Sequence, residues 1–264
     1  MPEGHTLHRL ARDHRALLGG LAIRSSSPQG RFVEGARVVD GRTLERIDAY
    51  GKHILYWFEG GVAVHVHLGL YGIFTTHRPL VPPPGPNVRW RFGAGEVTVD
   101  LVGATACELW GPPDVKRLRA RLGPDPLRRD GRAERFISAL DTRRTPIGAA
   151  LLDQALIAGV GNVFRAEALF LCGVHPDRQA NALTDAEQRQ LWDTLRALLR
   201  RGVRENRIAT VPPRERDRHE PEGRGRHRYV YHRSGLPCRV CATPIVEWML
   251  GARRIFACPR CQPH

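Results

Sequence analysis

Near the start of the chain Leu7, Leu10, Ala11, Leu17 and Leu18 recur close to helical spacing and stop at Gly19-Gly20, which predicts an amphipathic helix with a glycine stop. The period then changes to two. Ile54 to Phe58, Val62-Val64-Val66-Leu68, Val88-Trp90-Phe92 and Val97-Val99-Leu101 alternate as antiparallel strands packed on one another do. The proline-rich run from Pro79 to Pro86 reads as a surface loop, because alternation resumes after it. From about Leu118 the pattern turns helical, with Arg135 to Leu140, a Thr145-Pro146 pair read as N-cap and first turn, and a capping box at Thr184 and Glu187 ahead of Leu191 to Leu199. Between Gly202 and Arg228 arginine, proline and glycine dominate, so a mobile loop that packs no core is expected.

Composition narrows the class. A hydrophobic fraction of 42% and a charged fraction of 26% over 264 residues fit a water-soluble globular protein of two ordinary domains, or a core with an appended module. The 41 basic against 27 acidic residues give a formal charge of +14, which points to a polyanionic partner, nucleic acid first. MPEGHTLHRL lacks the apolar core of a signal peptide, and no uncharged run approaches the roughly 20 residues of a membrane helix. A cytoplasmic protein is expected, nucleoid-associated if bacterial. Only Lys52 and Lys116 are lysines, so 41 − 2 = 39 basic residues are arginine. A lysine that survives such a bias raises the question of whether its chemistry is needed.

Four of the six cysteines fall as Cys238-x-x-Cys241 and Cys258-x-x-Cys261, with 16 residues between the pairs. That spacing suits one structural zinc held by four thiolates, with no open position for chemistry. A pair of disulfides is the alternative, and a chain without secretory features argues against it. Ile245 to Met249 and Arg253 to Phe256 read as two strands around Leu250-Gly251-Ala252, with Arg253 and Arg254 near the hairpin tip, suited to a phosphate groove. Cys107 and Cys172 read as small buried hydrophobes.

Leu151 to Ala158, then Gly159-Val160-Gly161-Asn162, then Val163 to Cys172 reads as helix, tight turn, helix. Asn162 would either help clamp a DNA phosphate at the second helix's N-terminus or serve as the N-cap of an ordinary helical hairpin. At the chain start, removal of Met1 before a small residue would expose Pro2 as a secondary amine, far less protonated than a lysine at neutral pH. Attack by that amine on a sugar carbon bearing a damaged base would expel the base and leave an iminium that eases β-elimination. Glu3 stands adjacent as a general acid and base. The competing reading is that Met-Pro-Glu is an ordinary translational start.

Together these residues resemble the formamidopyrimidine-DNA glycosylase and endonuclease VIII family, from Pro2 to Cys261. The matching pieces are Met1-Pro2-Glu3-Gly4, Tyr50-Gly51-Lys52-His53, His67-Leu68-Gly69-Leu70-Tyr71-Gly72, Leu122 to Leu127, the Ala158 to Asn162 turn and the terminal cysteine module. The resemblance implies Pro2 as Schiff-base nucleophile, Glu3 as general acid and base, and Lys52 as a proton donor that also contacts DNA. It implies DNA-backbone contacts by Arg121 and Asn162, and phosphate binding and δ-elimination by Arg253. It places Leu70 and Tyr71 where side chains wedge into the gap left by a flipped nucleotide, against the alternative of loop packing. Gly4 and the Leu70-Tyr71 pair resemble the endonuclease VIII side, which prefers oxidised pyrimidines. Thr6 departs from a frequent glutamate, and Gly69 from a larger wedge residue.

The expected fold is α+β: an N-terminal β-sandwich with flanking helices (1–117), a helical DNA-binding domain with a helix-two-turn-helix and the mobile loop (118–228), and a four-cysteine zinc-finger β-hairpin (229–264). The resemblance implies a monomeric bifunctional DNA glycosylase and AP lyase acting by β,δ-elimination on damaged double-stranded DNA bound in a basic cleft. The alternative is a non-catalytic damaged-DNA-binding protein of the same fold; a zinc-ribbon transcription factor or RNA-binding protein would leave Pro2, Glu3 and Lys52 unexplained.

Overall fold

The structure is a computed structural model that describes residues 2–215, 223 and 225–264. The chain forms two compact units, Met1–Arg121 and Leu122–His264.

In the first unit, helix α1 (Gly4–Leu18) carries Leu7, Ala11 and Leu18 on its buried face and ends, as the glycine pair predicts, at Gly19. The chain continues through β1 (Arg24–Ser26), α2 (Val33–Val39), β2 (Leu44–Tyr50), β3 (His53–Phe58), β4 (Val62–His67), β5 (Ile73–His77), β6 (Val88–Ala94), β7 (Val97–Val102), β8 (Ala106–Trp110) and α3 (Pro112–Arg121). Among the described residues the strands form two four-stranded sheets ordered β1-β6-β7-β5 and β2-β3-β4-β8, with every pairing antiparallel. Alternation gives each strand an apolar face. Ile54, Tyr56, Phe58, Val64 and Val66 from one sheet and Trp90, Phe92, Val99 and Leu101 from the other build one core, as expected of a sandwich. The Pro79 to Pro86 segment is the exposed connection between β5 and β6.

The second unit contains α4 (Ala133–Leu140), α5 (Ile147–Ala150), α6 (Asn162–Leu171), α7 (Asp185–Glu205), β9 (Val246–Leu250) and β10 (Arg253–Ala257). Helix α7 opens with the predicted capping box: Thr184 Oγ1 accepts from Glu187 N–H, and the Glu187 carboxylate accepts from Thr184 N–H. Arg178 grips the same carboxylate and, with burial opposing, holds it well below the usual range, at about 2. Strands β9 and β10 pair around Gly251, whose φ of +63° suits glycine at the turn.

Three local expectations need correction. Pro146, with ψ 137°, is itself the N-cap of α5, so Thr145 does not cap that helix. Residues 151–158 form turns instead of a helix; the helix before α6 is the four-residue α5, because Asp153 caps a turn by accepting from Ala155 N–H, and Gln154 folds back onto Leu152, Gly159 and Val160. The expected mobile loop begins inside α7, and its residues 209–211 are buried, with Arg201 donating to the Thr210 and Val211 carbonyls. Residues 216–222 and 224 of that stretch lie outside the described residues. The cysteine module shares an apolar core with α6, in which Val163, Ala166 and Phe170 meet Tyr231, Ile245, Ile255 and Phe256.

Candidate functional site

Pro2 is half-buried, and Glu3, which carries no exposed surface, is the extended N-cap residue of α1. A carboxylate there stands where the helix dipole favours negative charge. His5, one residue into α1, is held neutral by burial, its pKa lowered to about 4. Met1 lies outside the described residues.

Lys52 is set by a hairpin. Tyr50 and His53 pair across the two-residue turn Gly51-Lys52, and Gly51 supplies the positive φ, +57°, that such a turn requires. Lys52 is thereby fixed, half-buried, at the tip joining β2 to β3. Behind it lies a column of aromatic rings on the sheet face opposite the core. The His53 and His65 rings stack, with Nδ1 of His53 2.9 Å from Nε2 of His65; His67 leans on His53, and His65 lies flat on Trp110 at 3.7 Å. Burial first, then His65, His67, Arg121 and Lys52, push His53 down to about 3. Burial holds His65 at about 4 against the opposing pull of Glu108, 3.4 Å away. His67 is lowered by burial, then by Lys52 and Arg121. The structure thus gathers Lys52 and Arg121, the exposed last residue of α3, around a neutral imidazole column.

Leu70 and Tyr71 project from the turn after β4, 49% and 84% exposed. Gly69 has φ +66°, and a Cβ there would fall 1.9 Å from Thr105 Oγ1; a Cβ at Gly72 would strike the Leu68 carbonyl. The departure at Gly69 therefore has a local cause, since the turn that presents Leu70 and Tyr71 has no room for a side chain.

In the second unit Asn162 is the first residue of α6, not its N-cap, which is Gly161. Its Nδ2 donates to Tyr231 Oη and to the Arg254 carbonyl, so the side chain is turned inward. Arg165, fully buried, donates to the Gly148 and Arg254 carbonyls. Glu167, also fully buried, accepts from the backbone N–H groups of Tyr229, Val230 and Tyr231 and from the Thr210 hydroxyl. Sequence reading missed both; an arginine and a glutamate inside the apolar helix NVFRAEALFL were the available signal. Arg165 ties the hairpin to α6 and Glu167 ties residues 229–231 to it, and Arg253 sits exposed at the start of β10.

The four cysteine sulfurs lie within 4.8 Å of one another, close enough to hold one metal ion. None of the six cysteines forms a disulfide. Cys107 is buried in the sandwich core with its thiol pushed up to about 12, and Cys172 is half-buried, near Thr194.

Residues 1–103 match the model of the formamidopyrimidine-DNA glycosylase N-terminal domain, and residues 122–212 that of the formamidopyrimidine-DNA glycosylase H2TH domain. The chain is 45% identical over 269 residues to "Endonuclease 8 1" of Mycobacterium tuberculosis, covering 99% of this chain and 100% of that one. It is 33% identical over 270 residues to "Formamidopyrimidine-DNA glycosylase" of Thermosynechococcus vestitus, covering 98% and 92%. The Lactococcus lactis Fpg, solved in complex with an abasic site containing DNA, superimposes with a TM-score of 0.82 over 99% of this chain and 100% of that one at 20% identity, a likeness of fold.

Proposed function

This chain belongs to the formamidopyrimidine-DNA glycosylase and endonuclease 8 family of DNA-repair glycosylases, and from that premise we propose that it is a bifunctional glycosylase and AP lyase that removes oxidised pyrimidines through an imine on Pro2. The pyrimidine preference rests on the mycobacterial endonuclease 8 relative and on the Leu70-Tyr71 pair. The observation that carries the mechanism is the fully buried Glu3 behind a half-buried Pro2 at the head of α1.

After removal of Met1, the Pro2 nitrogen attacks C1′ of the damaged nucleotide and the base leaves with its bonding pair; Pro2 then loses its N–H proton and the C1′–O4′ bond opens onto an oxygen protonated by Glu3, which leaves C1′ double-bonded to the nitrogen. The resulting iminium withdraws electrons, so loss of the C2′ proton expels the 3′ phosphate. A second elimination, assisted by Arg253 at the phosphate, expels the 5′ phosphate, and water releases the sugar remnant from Pro2. Lys52, a cation able to give up its proton, is the proton donor. Arg121, and the N-terminal end of α6 beginning at Asn162, hold backbone phosphates. Leu70 and Tyr71 fill the gap of the extruded nucleotide.

Zinc is the metal the cysteine cluster suits. Tetrahedral bonds of 2.3 Å put sulfurs about 3.8 Å apart, and Cys238 to Cys261 is 3.9 Å and Cys241 to Cys258 is 3.4 Å. Backbone N–H groups of Val240 and Cys261 point at the Cys238 and Cys258 sulfurs, as thiolate acceptors require. When bound, it supplies a structural clamp and no reaction step. Among the described residues no helix is long and apolar enough to cross a membrane; a monomer acting on damaged duplex DNA in the cytoplasm or nucleoid completes the reading.

Borohydride trapping tests it, using duplexes that carry an oxidised pyrimidine, an oxidised guanine or a plain abasic site. Wild type, its methionine removal verified by mass, should give a covalent adduct that peptide mapping places on the Pro2 nitrogen, in highest yield on the pyrimidine lesion. Binding without any adduct would leave a damaged-DNA binder.

A further inference from the structure

Away from the four cysteines, a second cluster of ligating side chains gathers where the loop after α6, the hairpin and the C-terminal tail meet within the second unit. One ligand atom from each of His175, Asp177 and His264 falls within 4.8 Å of the others. The His175 and His264 ring centroids are 4.2 Å apart. His175 and Asp177 are half-buried and His264 is exposed, so the cluster opens to solvent on one side.

Each member is held by something other than its fellows. Trp248 of β9 stacks on His175 with ring planes 15° apart, and its Nε1 donates to Asp177 Oδ1 at 3.1 Å. One indole thus fixes two of the three groups. The tail is fixed two residues before His264 by the fully buried Gln262, whose Nε2 donates to the Val174 carbonyl at 2.8 Å and whose Oε1 accepts from Cys258 N–H. Val174 immediately precedes His175, so the bond that anchors the tail also brings His264 to its partner. An outer hydrogen bond that orients the carboxylate, with packing that orients the ring beside it, is what preorganised metal ligands have.

We propose that His175, Asp177 and His264 form a second metal site, for a divalent transition ion of the zinc or nickel class, that staples the C-terminal tail to the loop after α6. Two imidazoles and one carboxylate are a donor set for zinc, nickel or copper, not for magnesium or calcium. Three protein ligands leave a position for water, which sets this site apart from the closed cysteine cluster. Asp177 N–H donates to His175 Nδ1 at 3.2 Å; a metal at Nδ1 displaces that long bond, and a metal at Nε2 moves the ring proton.

The test counts metal on the untagged full-length chain. With the cysteine site filled, titration with Zn2+, and separately Ni2+, should show a second bound equivalent at micromolar metal, accompanied by a rise in Tm. His264→Ala and His175→Ala should each return the count to one, and Trp248→Phe should weaken the second equivalent by about tenfold while keeping the first. The first equivalent reports the fold of each variant; should His175→Ala lose it, the exposed His264 decides. A single equivalent up to millimolar metal, or a second one that survives His264→Ala, overturns the proposal. Glycosylase assays on the same samples read the repair activity separately.

Discussion

The Nδ1 of His53 and the Nε2 of His65 stand 2.9 Å apart on neighbouring strands, so one imidazole donates to the other and the accepting ring cannot be protonated at both nitrogens. With pKa values near 3 and 4, both stay neutral at any pH at which DNA repair proceeds. An uncharged support behind Lys52 keeps that lysine from competing with further cations.

Stability should fall on the acid side because of these rings. His5 and His14 are likewise held near 4 by burial, whereas the unfolded chain titrates them near 6.5. The folded values are depressed, so the stabilisation is complete above pH 6.5 and is lost as pH drops towards 4. Each group adds a slope of up to about 1.4 kcal/mol per pH unit in that window. Denaturant titrations at pH 7, 6 and 5 should show the decline, and His65→Asn should flatten it; a pH-independent wild type would refute this account.

Gly69→Ala should cost about 1–3 kcal/mol. The added Cβ meets Thr105 Oγ1 at a positive-φ position. Thr105→Ala removes the atom in the way but not the backbone strain, so the double variant should recover part of the lost Tm. Full recovery would show the turn to be sterically, not conformationally, limited.

Glu167→Gln should loosen residues 229–231. The carboxylate accepts from three consecutive backbone N–H groups, and an amide would turn a donor towards them. A loss of about 2–3 kcal/mol is expected, with faster amide exchange at Tyr229, Val230 and Tyr231. Unchanged exchange there would mean the network re-forms around the glutamine.

Lys52→Arg separates charge from proton transfer. An arginine preserves the cation at the Gly51-Lys52 turn but holds its proton far more tightly. DNA affinity should stay within a few-fold while strand cleavage falls by about 10²-fold or more, measured as single-turnover rates on an abasic duplex. Equal losses in binding and cleavage would reduce Lys52 to a phosphate contact.

What the sequence determined by itself was whatever depends on neighbours along the chain. The period-two strands, the capping box at Thr184 and Glu187, the Gly19 stop, the spacing within each cysteine pair and the glycine that shapes the Lys52 turn are all local patterns with local causes. Reading failed where a local pattern had a competing local fold, as at residues 151–158, or where polar composition hid long-range packing, as at Thr210 and Val211. Only the tertiary structure decided the fate of the polar groups. His14 reaches Tyr56 in the sandwich core 42 positions away, Glu167 receives N–H groups more than 60 positions along, and Asn162 turns to a carbonyl 92 positions away. A buried polar atom must find a partner wherever the chain brings one, and no spacing in the sequence records which partner that will be.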